Sequence, residues 1–300
     1  MLNLSAVILT YNEELHIKRC LDNITPLVKE VFLIDSYSTD RTLEIAGQYD
    51  NVTILQNSWT THAKQFNWGL RNAPITTDWI IRLDADEYLL PELQNELIEK
   101  LPNIDKRVSG IVLKRRLIFL GKWIRRGTYP IKLLRIFRRN KGLSEERFMD
   151  EHICLLEGSS VEMEHDFVDH NLNNLSIWSQ KHIGYAIREA VDLLDMEYNI
   201  TGVAANDRNA CITDQAKSKR MKKHRYALAP LFLRSFAYFC YRYIIQLGFT
   251  EGKEGFLWHF LQGWWYRTLV DVKLFEIKSK CGNDKNRIIN YLADEYGITL

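Results

Sequence analysis

The segment WIIRLDADEYLLPEL, Trp79–Leu93, is an apolar run that ends on two aspartates and restarts at a proline. Trp79–Leu83 reads as a buried strand, and Pro91 suits the first turn of a helix reaching Lys100. Asp84-Ala85-Asp86 therefore leaves the carboxyl end of a strand. In an open parallel sheet, ligands gather beyond those ends. Two carboxylates one residue apart can share a divalent cation and the diphosphate bound to it. A solvated acidic turn is the plainer reading of the tripeptide alone; its place after a fourth strand favours the cation.

The same rhythm extends outward. Leu4–Thr10 reads as a first strand, followed by a helix that Asn12 would cap, with Glu13 and Glu14 in its first turn and Ile17, Leu21 and Ile24 as its apolar stripe. Val31–Ile34 is a second strand, with a turn over residues 36–40 and a short helix to about Tyr49. Val52–Leu55 is a third strand, and Ala63, Phe66, Leu70 and Ala73 recur at helical spacing. Alternating strands and helices imply an α/β fold with a mostly parallel sheet flanked by helices. Strand signals continue at Gly110–Leu113, Leu117–Leu120 and Lys132–Phe137. From about Glu164 the pattern becomes long helices rich in Trp and Tyr, which divides the chain into a domain over 1–165 and a helical region over 166–300.

At 46% hydrophobic residues the 300-residue chain can bury a sizeable core, which excludes disorder. The net charge of +2 conceals a partition. Residues 1–105 carry 8 Lys/Arg against 16 Asp/Glu, whereas residues 106–144 carry 13 Lys/Arg and no acid. The five cysteines are scattered without a CxxC pair, which argues against zinc or a disulfide framework and fits a reducing compartment. The N-terminal apolar run lacks a basic leader and a cleavage site, so it reads as a strand and not a signal peptide. No segment reaches the ~18 uncharged apolar residues of a membrane span; the best candidate, 226–250, contains Arg234 and Arg242.

At the first strand-to-helix junction, Thr10-Tyr11-Asn12-Glu13 offers backbone amides, a hydroxyl and an aromatic ring to a nucleotide. A simple helix cap is the alternative. Asp35, closing the second strand, suits a base or ribose as well as it suits a turn. Neither G-x-G-x-x-G nor G-x-x-x-x-G-K-[ST] occurs, which disfavours dinucleotide and P-loop binding.

Taken together, AVILTYNEELHIKRCLDNI (Ala6–Ile24), VFLIDSYSTDRTLEIA (Val31–Ala46) and WIIRLDADEYLLPEL resemble, in order and spacing, three signature segments of glycosyltransferase family 2. The resemblance covers roughly residues 4–155 and is closest to the bacterial branch that builds lipopolysaccharide core, capsule or exopolysaccharide. It implies a GT-A fold with a C-terminal helical region, the donor half lying over about 1–105 and the acceptor half over about 106–165. It also implies a nucleotide-diphosphate sugar donor and a DxD motif holding Mg²⁺ or Mn²⁺. On that resemblance Asp84 and Asp86 are the metal ligands, with Asp84 also on the diphosphate. Thr10, Tyr11, Glu13 and Asp35 become donor contacts, and Lys64 and Asn67 fall where the family places polar donor-side groups. One departure is Asp35-Ser36, where many members have two acids.

The family's catalytic pair aligns with Phe148-Met149-Asp150-Glu151-His152, making Glu151 the first choice of base and Asp150 the second; His152 would orient the base, touch the metal or be structural. A single carboxylate base implies inversion. Arg115, Arg116, Arg125, Arg126, Arg135 and Arg138, in the acid-free middle, either border an anionic acceptor or form a solvated basic face. Nucleic-acid binding is disfavoured because the basic run lies within a strand pattern without a recognition module.

Over 226–275, Arg234, Tyr238, Arg242 and Gln246 recur every four residues as a polar stripe amid aromatics. Such a helix suits the plane of an anionic bilayer, or a protein surface, and Trp258, Trp264 and Trp265 need a core, a bilayer or a second subunit to cover them. The expected protein is thus a metal-dependent inverting transferase acting on a bacterial cell-surface glycan or lipid-linked acceptor, cytoplasmic and at the inner membrane face. A nucleotidyltransferase on a related sheet and a non-catalytic membrane- or polyanion-binding protein are the rivals.

Overall fold

The computed structural model describes residues 1–145, 152–202, 221 and 225–298. The described residues of 1–173 form one compact unit and those of 174–298 a second.

The first unit is built on β1 (Leu2–Thr10), α1 (Ile17–Ile24), β2 (Val28–Asp35), α2 (Thr42–Ala46), β3 (Val52–Gln56), α3 (His62–Asn72), β4 (Trp79–Asp84), β5 (Glu87–Leu89) and α4 (Pro91–Lys100). It continues through β6 (Val108–Phe119), β7 (Lys122–Trp123), β8 (Ile131–Arg138), β9 (Gly142–Ser144), β10 (Ile153–Leu155) and β11 (Ser159–His170). Among the described residues the main sheet has nine strands in the order β3-β2-β1-β4-β8-β6-β11-β5, with β7 pairing β6, and β9 and β10 form a separate ladder. The β3-β2-β1-β4 half is parallel throughout. Its strands are near-continuous apolar runs because both faces are covered. Leu4, Ala6 and Ile8 of β1 join Ile17, Leu21 and Ile24 of α1 and Leu93 and Leu97 of α4 in one core. Val7, on the opposite face, packs with Phe32, Ile34 and Phe66 of α3. Gly69 lets α3 approach β2 closely, since a Cβ there would lie 2.7 Å from Ile34 Cγ1.

Two readings of this unit need correction. Asn12 does not cap a helix: its φ is 55°, and α1 begins only at Ile17. The two segments expected over 110–120 are one twelve-residue strand, β6, which Lys114-Arg115-Arg116 does not interrupt. The two arginines have partners across the sheet, where Arg115 pairs with Asp169 at 3.1 Å and Arg116 with Asp166 at 3.0 Å, both on the parallel neighbour β11. Lys132 of β8 pairs with Glu162 of β11 at 2.6 Å. Strand structure therefore continues past Glu164 to His170, in a segment whose acids disguised it.

The second unit contains α5 (Leu175–Tyr198), α6 (Leu233–Cys240) continuing as a π-helical turn over Tyr241–Ile245, α7 (Gly252–Trp258), a second π segment over His259–Trp265, α8 (Tyr266–Cys281) and α9 (Lys285–Tyr296). Its core joins Ala186, Ala190, Val191 and Leu194 of α5 to Val270, Leu274 and Ile277 of α8 and Ile288 and Leu292 of α9. The tryptophans are packed within the unit. Trp258 and Trp265 meet Trp178, and Trp264 lies against Phe236 and Phe239. No helix among the described residues is long and apolar enough to cross a membrane. The two arginines of the polar stripe face inward while Gln246 is exposed: Arg234 of α6 donates from Nε and Nη2 to Asp271 Oδ1 at 2.8 and 2.6 Å, and Arg242 of the π turn donates to Gln262 Oε1 at 2.5 Å.

Helix α4 is fastened to β11 by one buried carboxylate. Glu96 accepts hydrogen bonds from Lys100 Nζ, the backbone N–H groups of Glu164 and His165, and His165 Nδ1. Burial works against its charge, but these donors hold its carboxyl down at about 2, against an ordinary 4.5. The folded value is depressed, so the stabilisation is complete above about pH 4.5 and is lost as pH falls toward 2; its upper size is about 3 kcal/mol. Glu96→Gln should therefore lower the urea midpoint at neutral pH, and its gap from the parent protein should narrow as pH falls below about 4.5. A gap independent of pH would contradict this account.

Candidate functional site

Parallel register brings the candidate residues to one edge. Thr10 stands opposite Asp35, Asp35 opposite Gln56, and Leu9 opposite Asp84, so β1, β2, β3 and β4 end together. Thr10 Oγ1 donates to Asp35 Oδ1 at 3.2 Å. Asp35 also accepts from Ser38 N at 2.9 Å, Ser38 Oγ at 2.5 Å and Gln56 Nε2 at 3.1 Å, so four donors occupy its fully buried carboxylate. The amides after β1 are engaged as well. Those of Asn12, Glu13 and Glu14 donate to Ser38 Oγ, Thr42 Oγ1 and Asp40 Oδ2, which fastens the loop after β1 to the loop after β2. Tyr11, next along the chain, remains exposed.

Asp84 and Asp86 sit in contrasting surroundings. Burial disfavours charge on Asp84, but Arg135 and Arg82, with His62 and Arg115, hold its carboxyl at about 2. Arg135 Nη2 lies 3.5 Å from Asp84 Oδ2 and 2.5 Å from Glu87 Oε1, and the Asp84 N–H donates to Glu87 Oε2 at 2.9 Å. Asp86 goes the other way: burial, then Asp169 and Asp84, push it up to about 7, partly offset by a 2.9 Å hydrogen bond from Asn171 Nδ2. The backbone of the turn is held from the far end of the sheet. His170 N donates to Asp86 O at 3.1 Å, while Arg19 Nη2 donates to the carbonyls of Asp86 and His170 at 3.1 and 2.6 Å.

The donor set fits a hard divalent cation. Asp86 accepts one hydrogen bond among the described residues, and the Arg82 and Arg135 contacts to Asp84 are long, at 3.9 and 3.5 Å. Both carboxylates thus keep oxygen capacity, and two carboxylates plus substrate phosphates suffice for such an ion. Among the described residues no cluster of three or more His, Cys, Asp or Glu forms a cage for a metal.

The remaining candidates scatter. Glu13 faces His16: the Leu172 N–H donates to His16 Nε2 at 2.8 Å, which leaves the proton on Nδ1 to donate to Glu13 Oε2 at 2.6 Å. Asn67 grips the Ser144 peptide with both ends of its amide, at 2.8 Å each, and Arg82 Nη1 lies 3.4 Å from Ser144 Oγ. Lys64 is exposed on α3. Of the candidate acceptor arginines, Arg135 is buried beside the DxD turn, Arg115 holds Asp169, and Arg116 lies 3.8 Å over the Trp123 ring. Arg125 and Arg126 are exposed after β7, and Arg138 lies over the Trp79 ring while donating to Val108 O. Asp150 and Glu151 lie outside the described residues. Sequence reasoning passed over Arg19, Arg82, Glu87, Asp169, His170 and Asn171. Glu87 was adjacent to the motif, but the β11 residues carry no local signal of their proximity to it.

Removing Arg135 should leave Glu87 and Asp84 without their closest cation. Arg135→Met is expected to cost about 3–5 kcal/mol in urea unfolding. Adding Glu87→Gln to it should recover at least about 1 kcal/mol, and strict additivity would sink this coupling.

Comparison with known proteins places these residues in a wider set. The Glycosyl transferase family 2 model matches residues 5–160. An uncharacterized glycosyltransferase of Rickettsia typhi is 23% identical over 98% of this chain and 94% of its own. The lipopolysaccharide core biosynthesis glycosyltransferase LpsC of Rhizobium meliloti is 28% identical over 47% of this chain and 53% of its own. Among solved structures, the mannosyltransferase PcManGT of Pyrobaculum calidifontis, in complex with GDP-Man and Mn²⁺, aligns over 91% of this chain and 87% of its own at 17% identity and a TM-score of 0.49.

Proposed function

The chain belongs to glycosyltransferase family 2, and we propose that it moves a sugar, with inversion, from a nucleotide-diphosphate donor to a bacterial cell-surface glycan or lipid-linked acceptor. The observation that carries this reading is the shared edge where Thr10, Asp35, Gln56 and Asp84 end four parallel strands, with Asp86 one turn further on. Asp84 and Asp86 would hold Mg²⁺ or Mn²⁺, which would neutralise charge on the departing diphosphate.

Tyr11 offers its ring to the nucleotide base, and Asp35 acts by fixing the Ser38 turn against β1. Arg82 and Arg135 keep Asp84 ionised, while Asn171 orients Asp86. Glu151 takes the proton of the acceptor hydroxyl as it attacks the anomeric carbon, with Asp150 as the alternative base. The support for that role is upstream: the connection that carries both residues leaves from Ser144, which Asn67 and Arg82 tie beside β4, two residues from Asp84. Exposed Arg125 and Arg126 suit an anionic acceptor, as would a site of action at the inner face of the cell membrane.

Two substitutions separate these roles. Asp86→Ala should abolish Mn²⁺-dependent binding of a nucleoside diphosphate by calorimetry, and turnover with it. Glu151→Gln should leave that binding intact while transfer falls by about 10²–10⁴-fold. Unchanged turnover in Asp86→Ala would overturn the proposal.

A further inference from the structure

Helix α6 and the π turn after it are inverted in polarity. Arg234 and Arg242 are each only 4% exposed, and Ser235 is fully buried beside them. Arg234 is satisfied by Asp271, itself fully buried, and by the Ala227 carbonyl; Arg242 lies over the Tyr238 ring and reaches Gln262. The outward side is apolar. Leu233 is 62% exposed, Phe236 44%, Tyr241 50%, Ile244 53% and Ile245 70%. Leu247 and Phe249 extend the surface past the turn. A water-facing helix places its charges outside and its aliphatics inside. Here both arginines have been taken into the unit and hydrogen-bonded there, and large apolar groups are left facing out.

We propose that this face seats on an anionic lipid bilayer, with Phe236, Ile244 and Ile245 entering the acyl boundary and Tyr241 at the headgroup level. Charge complementarity selects a bilayer over a protein partner. No acidic residue occurs between 215 and 250, and residues 217–225, directly upstream, carry six Lys/Arg. In the sequence, a cation-rich, acid-free stretch thus precedes the apolar face, and basic residues next to an apolar helix provide the electrostatic attraction that such segments use on anionic lipid. Arg234 and Arg242 hold the helix to α8 and the preceding π segment so that its apolar side stays outward. The proposal deepens the lipid-linked-acceptor reading above and rests on it for its purpose, though not for its physical basis.

The test is flotation of the full chain with vesicles of phosphatidylcholine, with and without phosphatidylglycerol. The protein should float with the phosphatidylglycerol vesicles and be released by salt. Ile244→Glu/Ile245→Glu should weaken that partition by about tenfold or more, with thermal unfolding and Mn²⁺-dependent nucleoside-diphosphate binding unchanged. Equal flotation of the variant, equal affinity for neutral vesicles, or a parent dimer that the variant splits without vesicles would each overturn the proposal. Flotation without any nucleotide binding would instead sink the transferase reading and leave this surface standing.

Discussion

The site depends on the hydrogen-bond register between β1 and its two parallel neighbours. Because Thr10 faces Asp35 and Leu9 faces Asp84, three strands deliver their last side chains to one edge within a residue of each other. A shift of one residue would turn every side chain of a strand to the other face. It would also exchange Leu4, Ala6 and Ile8 for Val7 against α1. Packing on both faces of the sheet therefore fixes the position of the carboxylates, and the same apolar contacts that stabilise the fold align its polar edge.

Much of this half was legible in the sequence because it is locally encoded. Apolar runs of strand length, helical spacing in Phe66 and Leu70, and Pro91 at a helix start each act within a few residues, and the β1–α4 order follows from them. The helix after β1 was misread because Asn12, Glu13 and Glu14 look like a cap and its first turn. In the fold their amides are taken by Ser38 and Asp40 of the loop after β2 and by Thr42 at the start of α2. Long-range partners leave no local trace. Nothing near Asp86 announces Asn171, and the acids of β11 masked a strand by resembling a solvated segment.

The segregation of charge along the chain has a similar resolution. The acid-free stretch from 106 to 144 forms β6, β7 and β8, and part of its charge is met by Glu162, Asp166 and Asp169 of β11 and by Glu87. Opposite charges on facing strands stabilise a sheet by tenths of a kcal/mol to about 1 kcal/mol per pair. Separation in sequence is thus a means of specifying which strands pair. Arg125 and Arg126, beyond the end of β6, are among the cations of this stretch that stay exposed.

The clasp on the Asp86 turn bears on how the site comes into being during synthesis. Arg19 bridges the carbonyls of Asp86 and His170, and Asn171 holds the Asp86 carboxylate across 85 positions of chain. The family signature ends at residue 160, ten residues short of this clasp. A nascent chain thus carries every recognisable motif before it can lock the aspartate that those motifs advertise. Maturation of the site waits on the last strand of the sheet, whose closing residues are read by no motif.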